Sequence, residues 1–180
     1  MKSKFLFLGI VLMTLINCKN NNSDLSTENK KEQDLSNRLK ITVSLIAKTD
    51  DNFCMLYTDN GTINFGDKAV WTSLKGSDTP QNLVFLFPKD EFPTLFRLDL
   101  GHSNEQKDIL MKEVKFEFQK NIRVLKGIEI GAFFRGDSSN CDYDYKTGIV
   151  KPKMLNGKRL SPTLYPHENI QLAEIPKIYK

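Results

Sequence analysis

Between residues 39 and 154 apolar side chains recur at every second position in short runs broken by turn formers, and no stretch carries the spacing of a helical face. The cleanest case closes the run 109–118, where Val114, Phe116 and Phe118 alternate with Lys115 and Glu117. A chain written this way can bury its apolar residues only on the faces of sheets. Ile41, Val43 and Leu45 likewise oppose Thr42 and Ser44. Residues 53–58 form another run, followed by Asn60-Gly61 and then Ile63-Asn64-Phe65. Both turn residues tolerate positive φ, so the pattern predicts a tight hairpin. Residues 69–74, around Trp71, read as a strand. Residues 82–87 (NLVFLF) are apolar on both faces, as in a strand held deep between two layers, and Pro88 ends them. Phe96, Leu98 and Leu100 alternate next, and residues 122–125, 128–134 and 149–154 complete a set of about nine strands. The tail, 164–178, fits either a short helix after Pro166 or an extended strand. The expected fold is all-β: a single antiparallel β-sandwich over residues 39–180.

The segment before it has a different texture. Lys2 and Lys4 precede an apolar run over residues 5–16 that is too short for a comfortable membrane span. The run closes on Leu15-Ile16-Asn17-Cys18, which resembles a bacterial lipobox. That resemblance implies a signal peptide over 1–17 and a mature chain beginning at Cys18, acylated there and held to a lipid bilayer. Two or more acyl chains anchor stably at about 0.8 kcal/mol per buried methylene, where one chain holds only marginally. Residues 18–38 contain no aromatic residue and only two leucines, the composition of a flexible tether.

The formal charge is +4, of which Lys2 and Lys4 belong to the leader. The remaining basic residues are mixed with acids rather than blocked, so composition gives no sign of nucleic acid as a partner. Cys54 and Cys141 either pair in an oxidising compartment, closing a loop worth about 4 kcal/mol in the chain-entropy model, or are separate thiols, Cys54 buried in a strand and Cys141 in a loop. His102 and His167 are isolated and lack zinc-ligand spacing.

The segment 92–118 (FPTLFRLDLGHSNEQKDILMKEVKFEF) looks like the back half of a galactose-binding-like jelly roll. With the lipobox and the Asn-rich tether, it is similar to small envelope lipoproteins of the Bacteroidota type. The resemblance implies a jelly-roll domain anchored in the bacterial cell envelope, at the outer membrane, facing either the periplasm or the surface. The acidic cluster that often follows the lipidated cysteine in surface-exposed members is missing here, since Lys19-Asn20-Asn21-Asn22 stands in that place.

Sugar recognition needs flat aromatic faces and a few fixed polar groups. Trp71, the only tryptophan, and Tyr57 are candidate platforms, with Tyr143 and Tyr145 next; Asp59, Arg97, Asp99 and His102 are candidate hydrogen-bonding partners. Against this, a single tryptophan in a small domain is commonly buried, and Arg97 with Asp99, two apart on a strand, can form a plain ion pair. Asp137, Asp142 and Asp144 put several hard oxygens in one loop, a possible structural calcium site, although polar turns favour aspartate for backbone reasons too. Phe133-Phe134-Arg135-Gly136-Asp137-Ser138 resembles the entry of a serine-esterase family, but comes late in an all-β setting, and Leu164 stands three before His167 where that family carries aspartate. The expected function is non-catalytic binding of a glycan or other envelope component. The alternatives are a structural or assembly subunit docking an envelope protein, and a small hydrolase of envelope polymers.

Overall fold

A computed structural model describes residues 37–180; the leader, Cys18 and most of the tether lie outside the described residues. Two antiparallel sheets face each other across one apolar core. The first is built from β1 (Lys40–Ile46), β4 (Gln81–Leu86), β6 (Ile109–Phe118), β7 (Asn121–Lys126), β9 (Cys141–Asp144) and β10 (Ile149–Pro152). Its order is β4-β1-β6-β10-β9, and β7 also pairs with β6. The second is built from β2 (Asp51–Thr58), β3 (Ala69–Leu74), β5 (Leu95–Asp99), β8 (Phe134–Gly136) and β13 (Thr163–Pro166), in the order β3-β2-β5-β13-β8. A small hairpin, β11 (Met154–Leu155) with β12 (Lys158–Arg159), stands apart. The fold is the expected all-β sandwich.

The alternation of the sequence becomes the inner faces. Ile41, Val43 and Leu45 of β1, Phe53 and Met55 of β2, Leu83 and Phe85 of β4, Phe96 and Leu98 of β5, and Val114, Phe116 and Phe118 of β6 are all in the core. Aromatic rings run through it: Phe87 meets Phe96 at 5.8 Å, Phe96 meets Phe116 at 6.3 Å, and Phe116 meets Phe133 at 5.2 Å between centroids. The β1–β6 register shifts between Ser44 and Leu45. A bulge on β6 absorbs the shift, which is why its burial alternation slips a step at Lys112 and Glu113 before resuming at Val114.

Three expectations fail, each for a physical reason. Residues 82–87 are not a strand buried on both faces: β4 lies at the edge of its sheet, and Val84 is 46 % exposed. Asn60-Gly61 does not make a tight hairpin; β2 pairs instead with β3, and residues 59–68 form a wider loop. There the Asn60 side chain accepts the Thr62 amide and Thr94 Oγ1 accepts the Gly61 amide, so local side-chain bonds replace the two-residue turn. Residues 128–134 are not one strand: Ile128–Phe133 is a helix, α1, which buries Ile130 and Phe133, three apart, before β8 begins. Six residues are too few to display a helical period in the sequence.

The tail combines both of its possible forms, strand β13 followed by α2 (Glu168–Ala173) and α3 (Ile175–Ile178). Tyr179 closes it, donating its hydroxyl to the Pro93 carbonyl at 2.8 Å and packing its ring on Phe92 and Phe118. Among the described residues no helix is long and apolar enough to cross a membrane.

Candidate functional site

The outward face of the second sheet gathers the largest share of the candidate residues. Strand alternation puts them there, because each is the neighbour of a core residue: Val70 before Trp71, Phe96 and Leu98 around Arg97, Leu98 before Asp99, and Leu164 before Tyr165. Register aligns Trp71 with Cys54, Cys54 with Asp99, and Asp99 with Thr163, so one row crosses four strands.

Trp71 sits on the edge strand β3 and is 58 % exposed, contrary to the common fate of a lone tryptophan. His102, also exposed, lies against it with ring centroids 5.2 Å apart and tilted by 42°. The loop holding His102 is fixed from below. Asp51 Oδ1 accepts the backbone amides of Asn52, His102 and Ser103 at 2.8, 2.8 and 2.9 Å. The buried Arg159 guanidinium donates to the carbonyls of Leu100 and Gly101. Gly101 has φ +80°, and a Cβ there would collide with the Asp51 carboxylate, so this turn requires glycine.

Arg97 lays its fork on Asp99, Nε to Oδ1 at 2.8 Å and Nη2 to Oδ2 at 3.0 Å. The ion pair expected from their spacing is therefore present, and it leaves Nη1 outside the fork. Next to it runs a groove of about 330 Å³, lined among others by Ile63, Phe65, Arg97, Arg135, Asp137 and Tyr165. The Arg135 guanidinium stands 5.2 Å over the Tyr165 ring, and that of Arg97 stands 6.0 Å from the Phe65 ring. Asp137 is held below the usual carboxylate range by the Ser139 hydroxyl and amide, with Arg135 and Arg97 adding to this. Sequence reasoning missed Arg135, Tyr165 and Phe65. The first two were accessible as the outward neighbours of Phe134 and Leu164; Phe65 was hidden by the mistaken hairpin.

Other candidates are placed elsewhere. Tyr57 is 3 % exposed and packs edge-on to Phe87 within the core, so it is no platform. Asp59 lies beyond the end of β2, bonded to Lys68 at 2.7 Å in a surface ion group with Glu91. Tyr143 packs against the core, and burial pushes its phenol up to about 12. Tyr145 is exposed just past the end of β9, a strand of the first sheet. Asp137, Asp142 and Asp144 do not converge: Asp137 caps Ser139, Asp142 pairs with Lys153, and Asp144 caps Lys146 and Thr147. Among the described residues no three acidic, histidine or cysteine side chains gather to hold a metal ion, which corrects the calcium assignment. His167 Nε2 meets the Gly131 carbonyl at 3.1 Å rather than a serine.

Cys54 and Cys141 are both buried and free. They are not paired with each other: by register Cys54 is two strand spacings, about 10 Å, from Thr163, while the Cys141 thiol meets the Thr163 carbonyl at 3.7 Å. Burial, with the Asp99 charge second, pushes the Cys54 thiol up to about 11. Alkylation followed by peptide mass mapping, without reductant, is therefore expected to leave both cysteines unmodified in the native protein and to modify both after denaturation. A Cys54–Cys141 peptide pair would contradict this.

A second cleft, about 410 Å³, lies between β7 and α3, lined by Lys120, Arg123, Phe133, Lys177 and Ile178 among others. It is basic and has no exposed aromatic ring. Neither the family models, nor the curated proteins, nor the solved structures compared with this chain include a match to it.

Proposed function

We propose that the protein is a lipoprotein anchored through Cys18 to the bacterial outer membrane, whose sandwich, of jelly-roll type, holds a glycan without chemical turnover. The contact surface is the outer face of the second sheet. One observation carries the reading: the only tryptophan is exposed at 58 % on a flat sheet edge, beside an exposed histidine and on the same face as a guanidinium–carboxylate fork. An indole face stacks on the C–H side of a sugar ring, and planar polar groups read its hydroxyls. A core tryptophan would serve packing alone; one left in water, at the cost of exposed apolar area, suits a surface that meets a ligand.

The test is a glycan array probed with the detergent-solubilised full chain and its Trp71→Ala variant. Binding by the wild type to at least one glycan, lost in the variant, is the expected result; no binding to any glycan, or capture of an envelope protein in its place, would overturn it. The anchor is tested separately. Radiolabelled palmitate should enter the wild-type product and not the Cys18→Ser variant, and a wild-type protein that stays unlabelled at its full precursor mass contradicts the lipid attachment.

A further inference from the structure

The row that begins at Trp71 does not end at Arg97 and Asp99. Cys54, Asp99 and Thr163 in that row are buried, so the open path across β2, β5 and β13 runs over the half-buried Leu56, Arg97 and Tyr165 of the next row; β13 is three strand spacings from β3, about 14 Å, which exceeds one pyranose ring and accommodates about three joined end to end. Tyr165 lies two residues further along β13 on the same face, paired with Arg135 of β8. The groove there is built from a stacked guanidinium–aromatic pair, and among the described residues the exposed Arg135 guanidinium makes no hydrogen bond or ion pair.

Charge selects among ligands. The groove is lined by two arginines, Arg97 and Arg135, and two acids, Asp137 and Glu168, and Arg97 is already paired with the buried Asp99 beside it. A ligand carrying carboxylates or sulfates meets an excess of its own sign, while a neutral polyol finds both donors and acceptors. Ile63, 80 % exposed at the groove's rim, adds apolar surface that a sugar's C–H face can cover.

Building on the glycan reading, we propose that this face is a track for a neutral oligosaccharide of at least about three units laid across the strands, held by Trp71 and His102 at one end and by Arg135 and Tyr165 at the other. Arg135 is a specificity residue for chain length: it sits too far from Trp71 to meet the same ring.

Titration calorimetry on the detergent-solubilised full chain tests it, using neutral cello-, malto- and β-1,3-gluco-oligosaccharides from monosaccharide to hexasaccharide, with oligogalacturonates as the acidic counterpart. In at least one neutral ladder, affinity should rise about tenfold or more between monosaccharide and trisaccharide and then level off. Arg135→Ala should remove that rise, with Arg135→Lys in between; Arg135 is exposed, so both variants keep the fold. Affinity independent of length, a trisaccharide gain that survives Arg135→Ala, or tighter binding of oligogalacturonates would overturn the track while leaving the glycan reading intact. Failure of every ladder to bind would overturn both.

Discussion

Asp51→Ala is expected to lower stability by about 3–5 kcal/mol, a fall of about 10 °C or more in Tm. Asp51 is buried, yet among the described residues it makes no ion pair with lysine or arginine; its Oδ1 instead collects three backbone amides, from Asn52, His102 and Ser103. Removing the carboxylate leaves those amides without their acceptor and takes away the negative charge that favours the buried Arg159 guanidinium. Each hydrogen bond to a charged group is worth about 1.5–3 kcal/mol, and an uncompensated buried cation adds to the loss. Asp51→Asn keeps an acceptor oxygen but not the charge, so it should fall between wild type and alanine. Urea unfolding of the three proteins checks the order. A loss below about 1 kcal/mol for the alanine variant would show that the loop is held by other means. Because the same carboxylate fixes the His102 amide, Asp51→Ala should weaken ligand binding as well.

The second large effect is on binding. Trp71→Ala should reduce glycan affinity by about tenfold or more, equivalent to about 1.5 kcal/mol of aromatic stacking, while changing stability by less than about 1 kcal/mol. The asymmetry follows from placement: Trp71 is on an edge strand with most of its surface in water, so the core loses nothing when it is truncated. Trp71→Phe keeps a flat ring and should retain most of the affinity. Calorimetry and thermal unfolding on the same preparations separate the two quantities. A variant that unfolds instead of losing affinity would make Trp71 a packing residue.

The strands that could be read directly are those with one wet face. In β1 and β6, Ile41, Val43, Leu45, Val114 and Phe116 alternate with more exposed neighbours, and every one is buried. The failures came where period carries no information. Asn82 to Phe87 offers apolar residues on both faces, which an edge strand with exposed Val84 and a fully buried strand share. Residues 128–133 are too short to show a helical period, and Asn60-Gly61 was outweighed by bonds from Asn60 and Thr94 that only the folded loop provides. Half of the site was legible for the same reason as the fold: Trp71, Arg97, Asp99 and His102 fall on one face or its adjoining loop. Arg135 and Tyr165 come to that face only through β13, which inserts between β5 and β8 from a point late in the chain. No local pattern announces a pairing between strands so distant in sequence.

Because Trp71 is the only tryptophan in the chain, its fluorescence reports on this face alone. Acrylamide quenching of the full chain, with and without a saturating neutral oligosaccharide, tests the central claim most directly. Free protein should show the red-shifted, readily quenched emission of an exposed indole, and the ligand should shift it to the blue and shield it. Bound sugar that leaves both emission and quenching unchanged would place the binding face elsewhere and contradict the account.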